Sequence, residues 1–381
     1  MITDSPRPIR SSLPAPPPQP SLVAQALRNA AADVGWPAVV DGVTGERLSR
    51  GDLAERSASL ATGLTGRGIG RGDIVAVAMP NLVWWPVVAL AIWRAGAAIA
   101  PLNPAWTDAE MGRVLALVRP RLGVAFGPAA ASLKGGLDAA AVDADVVVHG
   151  EPQHATPLKR LLAGAGDDPY TPPQLAADDL AMLPFSSGLG GLPKAVRLTH
   201  GNLSAAAAQV VASLALDDRS VALAAAGVFN AMGMVSSLCG PLSVGAEIVT
   251  LPVPRTEPIL ESIASHRVTH ATLPPTVVAE IAADPRTARH DISHLEFVVT
   301  GGAHVPKAQQ QRAGERLRCR SVRQAYGMTE ALVISGPRGE PSDPVTVAGW
   351  RRAPRRAWST LRPATTSRPG DRASSGSADR R

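Results

Sequence analysis

The chain has 381 residues, of which 45% are hydrophobic, so it is long enough for two packed units and its composition excludes a fully disordered protein. The formal charge is +6, but residues 351–381 hold nine Arg and two Asp, a local balance of +7. The other 350 residues carry 29 basic and 30 acidic side chains, or −1. This neutral body argues against a nucleic-acid-binding protein.

The chain begins with a Pro-rich stretch that has no apolar signal, so residues 1–22 are predicted to form a flexible leader. The apolar stretch 87–102 contains Arg94 and is shorter than the roughly 20 residues of a membrane-spanning helix, so no membrane span is predicted. Cys239 and Cys319 lie far apart without metal-ligand spacing, which is typical of reduced thiols. We therefore expect a cytoplasmic protein.

Aliphatic runs alternate with helical patterns from Leu48 onward, which is typical of βαβ units and a mostly parallel sheet. In the first half, strands are predicted at 74–79, 97–101, 122–126 and 145–148, and helices at 84–95 and 108–118. These elements predict a first α/β subdomain over residues 23–178.

The pattern restarts after a loop at 169–179. An extended segment at 194–199 leads into a helix from His200, and strands follow at 221–225, 247–251, 268–273 and 295–300. The fold class is therefore predicted to be α/β, with a second, similar subdomain over residues 179–340.

A Gly-rich turn lies between two extended segments of the second unit. Its residues are Ser186, Ser187, Gly188, Leu189, Gly190 and Gly191. Small residues let backbone N–H groups approach phosphate oxygens, and Lys194 adds a positive charge. Lys194 lies between Pro193 and Ala195, which excludes the P-loop signature of many ATPases. A plain turn is the alternative reading of such a loop.

The whole segment LPFSSGLGGLPKAVRLTHGNL, residues 183–203, resembles the phosphate-loop signature of the adenylate-forming superfamily, of the acyl-CoA synthetase and 4-coumarate–CoA ligase type. The matching positions are Ser186, Ser187, Gly188, Gly191, Leu192, Pro193, Lys194, Val196, Leu198, Thr199, His200, Asn202 and Leu203. The resemblance implies that this loop binds the phosphates of ATP.

A second segment, QAYGMTEA at residues 324–331, is similar to the adenylate-binding motif of the same family. The resemblance implies that Gln324, Ala325 and Gly327 line the nucleotide and that Tyr326 stacks near adenine. It also implies that Thr329 contacts the α-phosphate and that Glu330 holds Mg²⁺, a hard cation that binds carboxylate oxygen. Lys194, Thr329 and Glu330 would be the catalytic residues.

A third segment, VVTGGAHVPK at residues 298–307, resembles the wall that adenine and the acyl group share in this family, formed here by Gly301, Gly302 and Ala303. Phe229, Asn230, Gly302 and Met328 would then contact the acid. A helix-entry turn is the alternative for the glycines.

Three positions depart from the family pattern. Leu189 and Gly190 replace a pair of threonines in the phosphate loop, which removes two hydroxyl donors. Asn230 replaces a histidine, so that position does not titrate.

His290 and His294 have a metal-binding spacing, but without a third ligand a solvated surface pair is favoured.

The resemblance implies that a carboxylic acid and Mg·ATP give an acyl-adenylate and pyrophosphate, and that the acyl group then passes to coenzyme A. Aryl acids and fatty acids are the expected substrates, and amino-acid adenylation remains open. A non-catalytic nucleotide- or acyl-binding remnant is the main alternative. Binding of nucleic acid through the Arg-rich tail is a third.

Residues 341–381 have neither helical nor strand periodicity and are predicted to be a disordered tail. Back-translation with GC-rich codons, read one base earlier, turns residues 358–380 into a sequence similar to the region beyond the adenylate motif in the family. We therefore predict that one base was lost near Val347. A chain without the family's mobile C-terminal domain and its lysine is predicted to be impaired.

Overall fold

A computed structural model of the chain describes residues 21–150, 156–163, 173–187 and 193–335. Most of the predicted leader and all of the predicted tail lie outside the described residues. The same holds for Gly188, Leu189, Gly190 and Gly191, whose predicted role in binding phosphate stays a prediction.

Seventeen strands are present in the described part of the chain. They are β1 Pro37–Asp41, β2 Arg47–Ser49, β3 Ile74–Ala78, β4 Ala98–Leu102, β5 Leu122–Phe126, β6 Asp145–His149, β7 Thr156–Pro157, β8 Leu180–Met182, β9 Phe185–Ser187, β10 Pro193–Ala195, β11 Leu198–Thr199, β12 Val221–Ala224, β13 Glu247–Thr250, β14 His270–Thr272, β15 Phe297–Gly301, β16 Ser321–Met328 and β17 Leu332–Ser335.

Twelve α-helices accompany these strands in the same residues. They are α1 Leu22–Ala32, α2 Arg50–Thr65, α3 Trp84–Arg94, α4 Asp108–Val118, α5 Ala130–Ala139, α6 Leu158–Ala163, α7 His200–Leu214, α8 Ala231–Gly233, α9 Gly240–Val244, α10 Thr256–Ser265, α11 Pro275–Ala283 and α12 Lys307–Leu317. Met234–Cys239 forms a π-helix between α8 and α9, and Gly127–Ala129 and Pro285–Arg289 are short 3₁₀ turns.

Two large sheets organise the fold. One has seven strands in the order β11-β8-β4-β3-β5-β6-β7, and the other has eight in the order β17-β16-β15-β14-β12-β13-β1-β2. The central strands pair in parallel, and antiparallel pairs occur at the ends, where β11 meets β8, β2 meets β1 and β17 meets β16. The predicted α/β class with mostly parallel sheets is confirmed.

The order of the strands in the sequence does not match their division between the two sheets. β1 and β2 precede the first sheet in sequence but extend the eight-stranded sheet, while β8 and β11 follow residue 178 but belong to the seven-stranded sheet. The predicted boundary therefore does not separate the strands of the two sheets, because strand pairing depends on contacts that a local pattern does not contain. The division into two subdomains remains a prediction.

Local signals explain where several helices begin. Thr107 and Glu110 form a capping box at the start of α4, and Thr199 and Asn202 form one at the start of α7. α3 is buried on all sides, and the indole N–H of Trp93 donates to the carbonyl of Ala181 in β8 at 2.9 Å. A fully buried helix explains its continuous apolar sequence.

No helix in the described part of the chain is long and apolar enough to cross a membrane. Cys239 and Cys319 are free thiols, and burial raises the pKa of both. A raised pKa leaves little nucleophilic thiolate, so both are better suited to packing than to chemistry.

Candidate functional site

A cavity of about 540 Å³ opens at the carboxyl ends of β12, β14, β15 and β16. In open parallel sheets this edge is where ligands bind. Its wall is formed by Val210, Ser213, Leu214, Ala226, Gly227, Asn230, Ala231, Met232, Val235, Ser236, Pro274, Pro275, Val299, Gly301, Gly302, Ala303, Arg323, Ala325, Tyr326, Gly327, Met328, Thr329, Leu332 and Val333. Most of these residues are apolar, as is typical of sites that bind small molecules.

The predicted adenylate motif forms one side of this cavity. β16 and β17 form an antiparallel hairpin in which Met328 pairs with Leu332, and Thr329 follows β16 directly. Tyr326 is 59% exposed and Met328 is 48% exposed at the cavity wall. An exposed aromatic ring beside an apolar cavity offers a flat face on which a planar group can stack.

Gln324 holds the neighbouring loop in place rather than lining the cavity. Its side-chain oxygen accepts hydrogen bonds from the Val305 amide at 3.2 Å and the Gln310 side chain at 3.0 Å. Its amide group also donates to the Ala303 carbonyl at 3.4 Å. The structure thus ties the adenylate motif to the predicted adenine–acyl wall.

That wall depends on two glycines. A Cβ on Gly301 would lie 2.8 Å from the carbonyl oxygen of Ala325 and 2.9 Å from the sulfur of Met232, so a larger residue does not fit without movement. Gly302 has φ +88°, a left-handed conformation that favours glycine. Both residues are therefore required by the shape of the wall itself.

The predicted phosphate side brings together three polar residues, of which Lys194 and Glu330 are exposed and Ser186 is half-buried. β9 and β10 pair antiparallel, with Lys194 directly opposite Ser186, which puts both side chains on one face at about 5 Å between Cβ atoms. The Ser186 hydroxyl donates to Glu330 Oε1 at 3.2 Å. The fold therefore brings Ser186, Lys194 and Glu330 together from segments 144 residues apart in sequence.

The predicted acid-contacting residues divide into two groups. Asn230, Gly302 and Met328 line the cavity, whereas Phe229 is not part of its lining and packs against Gly227. The Asn230 side-chain oxygen accepts a hydrogen bond from the Gly233 amide at 2.8 Å and caps α8. Asn230 thus holds the start of the helical segment that forms another part of the wall.

Sequence reasoning missed Asn81, which is 3% exposed and follows β3. Its amide nitrogen donates to the carbonyls of Ala224 and Ala226 at 2.8 and 2.9 Å, and its oxygen accepts from the Val228 amide at 2.9 Å. Asn81 therefore fixes the loop after β12 to the first sheet. A polar residue at the carboxyl end of a buried strand was the available signal.

Arg323 was also missed, and it lines the cavity although only 7% of it is exposed. It donates from Nη1 to the Ser213 carbonyl at 2.6 Å and from Nε to the Ser321 hydroxyl at 2.9 Å. Its guanidinium lies 4.0 Å from the ring centre of Phe297. Burial, followed by the nearby charge of Arg320, lowers the pKa of Arg323.

His200 is buried at the start of α7, with an edge-on contact to Trp93. Neither ring nitrogen has a hydrogen-bond partner among the described residues. Burial lowers the pKa of His200 to about 4, so the ring is neutral at pH 7. His200, which matches the phosphate-loop signature of the family, therefore has a buried and uncharged ring.

His290 and His294 turn to different partners. His290 lies 3.2 Å from Glu257, and His294 contacts the Ile263 carbonyl at 2.7 Å. No group of three or more metal-binding side chains occurs among the residues that the structure describes.

Known proteins resemble this chain in sequence. The sequence model described as "AMP-binding enzyme" matches residues 27–353. A 4-coumarate–CoA ligase 5 of Oryza sativa subsp. japonica is 33% identical over 300 residues, which cover 77% of this chain and 54% of the rice protein. The chain thus spans about half the length of this relative.

Solved structures share the fold. A luciferase-like enzyme from the mealworm Zophobas morio superposes with a TM-score of 0.80 and 21% identity, over 88% of this chain and 79% of that protein. A benzoate CoA ligase from Burkholderia xenovorans LB400 superposes with a TM-score of 0.78 and 24% identity, over 87% of this chain and 66% of that enzyme. At such identities the likeness concerns the fold alone.

Proposed function

The chain belongs to the AMP-binding enzyme family, and from that premise we propose that it carries the acid-activating site of an AMP-forming carboxylic acid–CoA ligase. In the proposed reaction an acid carboxylate attacks the α-phosphorus of ATP and the bond to pyrophosphate breaks. The thiol of coenzyme A then attacks the acyl carbon, and AMP leaves. An aryl or fatty acid is the proposed substrate.

One observation carries this proposal: an apolar cavity ends beside three polar residues suited to a polyphosphate. Thr329 lines the cavity, and the next residue, Glu330, contacts Ser186, which pairs with Lys194 across the β9–β10 hairpin. A carboxylate held at this junction would have its chain in apolar surroundings and its reacting oxygen near the phosphates. Positioning of this kind removes much of the entropic cost of a bimolecular reaction.

The residues of the junction have distinct proposed roles. Lys194 would neutralise charge on the leaving pyrophosphate, and Thr329 would donate a hydrogen bond to the α-phosphate. The carboxylate of Glu330 and the hydroxyl of Ser186 are hard oxygen donors, which fit Mg²⁺ bound together with phosphates. When bound, Mg²⁺ would supply further neutralisation of phosphate charge.

Tyr326 and Gln324 have supporting proposed roles. The exposed ring of Tyr326 would stack against adenine at the cavity wall. Gln324 would act through the loop that it holds, keeping Ala303 and Gly302 against the adenine and acyl groups. Ala325 and Gly327, which line the cavity, would let the nucleotide approach the backbone.

The test is acid-dependent release of pyrophosphate from Mg·ATP by the purified 381-residue chain, screened over aryl and fatty acids. We expect release that requires both acid and Mg²⁺. ATP binding without release would favour the non-catalytic alternative, and absence of ATP binding would refute the proposal. A second preparation, with the predicted reading frame restored after Val347, tests whether residues 348–381 limit the activity.

A further inference from the structure

A buried asparagine joins the two sheets beside the cavity. Asn81 follows β3, and β3 lies between β4 and β5 in the seven-stranded sheet. The strand order reverses at β3, and open α/β sheets commonly bind ligands at the carboxyl ends of their strands at such a point. At this point Asn81 binds residues 224–228, which end β12 and begin the loop after it. The side chain of Asn81 therefore fixes this loop of the second sheet to the first sheet.

The Asn81 amide has a partner for each of its N–H groups and for its oxygen. The nitrogen donates to the carbonyls of Ala224 at 2.8 Å and Ala226 at 2.9 Å, and the oxygen accepts from the Val228 amide at 2.9 Å. A flipped amide would place nitrogen against an N–H group and oxygen against two carbonyl oxygens, so these partners determine its orientation. One side chain thus fixes three peptide groups of the segment 224–228.

The segment that Asn81 fixes leads into one wall of the cavity. The cavity-lining residues of this wall, which we call the β12 wall, are Ala226, Gly227, Asn230, Ala231 and Met232. The backbone amide of Asn230 donates to the Gly227 carbonyl at 3.1 Å, which connects the two parts of the wall. Asn81 itself is not part of the cavity lining. A shift of residues 224–228 would therefore move the β12 wall without removing any group that lines the cavity.

Burial makes these hydrogen bonds necessary for the conformation of the segment. Asn81 is 3% exposed, and Ala226 and Val228 are each 2% exposed. A buried peptide group that loses its partner costs free energy unless the chain moves to find another one. Removal of the Asn81 amide should therefore displace the segment 224–228 as well as lower stability.

The opposite wall of the cavity is held by a different amide. Gln324 accepts hydrogen bonds from Val305 and Gln310 and donates one to the Ala303 carbonyl, which fixes the loop of the predicted adenine–acyl wall. Asn81 makes none of these contacts. The two walls are thus positioned by separate side chains, and a change at one of them need not disturb the other.

We propose that Asn81 is a positioning residue that sets the shape of the β12 wall and thereby the affinity of the site for the acyl group. The inference rests on the proposed function, since it concerns the acid cavity of the same site. Asn81 acts through residues 224–228 and touches neither acid nor nucleotide. Loss of its amide should therefore weaken binding of the acyl group and leave binding of AMP unchanged.

The experiment measures the affinity of the full chain for AMP and for two adenylate analogues, benzoyl-sulfamoyl and octanoyl-sulfamoyl adenosine, by isothermal titration calorimetry. The Kd of AMP divided by the Kd of an analogue gives the contribution of the acyl group. In Asn81→Ala we expect this ratio to fall about tenfold for at least one analogue, the size of losing contact with about two methylene groups. The Kd of AMP should stay the same.

A second asparagine provides the matched control. Asn29 also donates from its side-chain nitrogen to two distant carbonyls, those of Leu242 and Ser243 at 3.2 and 3.3 Å. None of these three residues lines the cavity. Asn29→Ala therefore loses two long-range hydrogen bonds of the same kind and should keep the parent ratio. If Asn81→Ala does not fold, Asn81→Asp replaces it, because aspartate has the same shape but loses both N–H donors, and the same fall is expected.

The possible results separate the inference from the proposed function. An unchanged ratio in a folded Asn81 variant, or an equal loss of affinity for AMP and for the analogues, would overturn the inference and leave the proposed function intact. The same fall in Asn29→Ala would also overturn it, because general loosening of the fold would then be the cause. A parent chain that binds none of the three ligands would overturn both.

Discussion

The apolar wall of the cavity and its proposed phosphate side are built in opposite ways. Arg323, Val299 and Gly301 are buried, and hydrogen bonds or close packing hold them. Lys194 and Glu330 are exposed, and Glu330 contacts Ser186 across an exposed surface. A preformed apolar wall discriminates by shape, whereas exposed charges keep their hydration and attract a polyphosphate over a distance. Selectivity for the acid and affinity for the nucleotide should therefore respond to different substitutions.

The largest effect is expected on the phosphate side. Lys194→Met should lower the rate of acid-dependent pyrophosphate release by roughly 10²- to 10³-fold, the usual result of removing one charge-stabilising donor. Because Lys194 is exposed, the thermal unfolding of this variant should differ little from that of the parent protein. Lys134→Met is the matched control, since Lys134 is an exposed residue of α5 that pairs with Asp138. Equal losses in both variants would contradict the assignment.

The pH dependence of stability tests the effect of burying His200. Its folded pKa of about 4 lies below the ordinary 6.5, so the unfolded chain binds the proton more readily. Stability should therefore fall as the pH decreases from 6.5 towards 4, by up to about 3 kcal/mol from this group. Urea unfolding at several pH values should show a flatter profile for His200→Leu. An unchanged pH slope would show that His200 is not responsible.

Gly301 tests the packing of the wall. Gly301→Ala should lower the free energy of unfolding by about 1 to 3 kcal/mol and weaken acid binding, because its Cβ would approach the Ala325 carbonyl and Met232 too closely. Gly314→Ala in α12 is the control, since that Cβ meets Val322 at an ordinary 3.6 Å. Chemical denaturation measures both. A Gly301→Ala protein as stable as the parent would contradict the packing argument.

The smallest effect separates two roles of Asn230. Asn230→Ala removes the cap of α8 and should cost about 1 kcal/mol of stability. Asn230→Asp keeps the capping oxygen, so it should retain stability while its negative charge weakens binding of a carboxylate in the same cavity. Unfolding and acid titration, measured side by side, distinguish the roles. Equal loss of stability in both variants would show that capping is not what Asn230 contributes.

The sequence by itself determined the local helices and strands and the residue types that are available for chemistry. The predicted helix at 108–118 and strand at 122–126 agree with the structure, because capping residues and periodic apolar positions are local signals. The resemblance to short family motifs predicted site roles for Lys194, Thr329 and Glu330, because such a motif is a set of residue types at fixed spacing in the sequence. The aliphatic runs that alternate with helical patterns were enough to indicate parallel sheets.

Tertiary structure alone decided which of these residues meet. The contact between Ser186 and Glu330, the assignment of β1 and β2 to the distant sheet, and the anchoring of the loop after β12 by Asn81 all join segments more than a hundred residues apart. The same is true of Arg323, whose sequence neighbours do not reveal that it ends in a cavity beside Ser213. Burial and contact are properties of the packed chain, and a one-dimensional pattern does not specify the partner of a side chain.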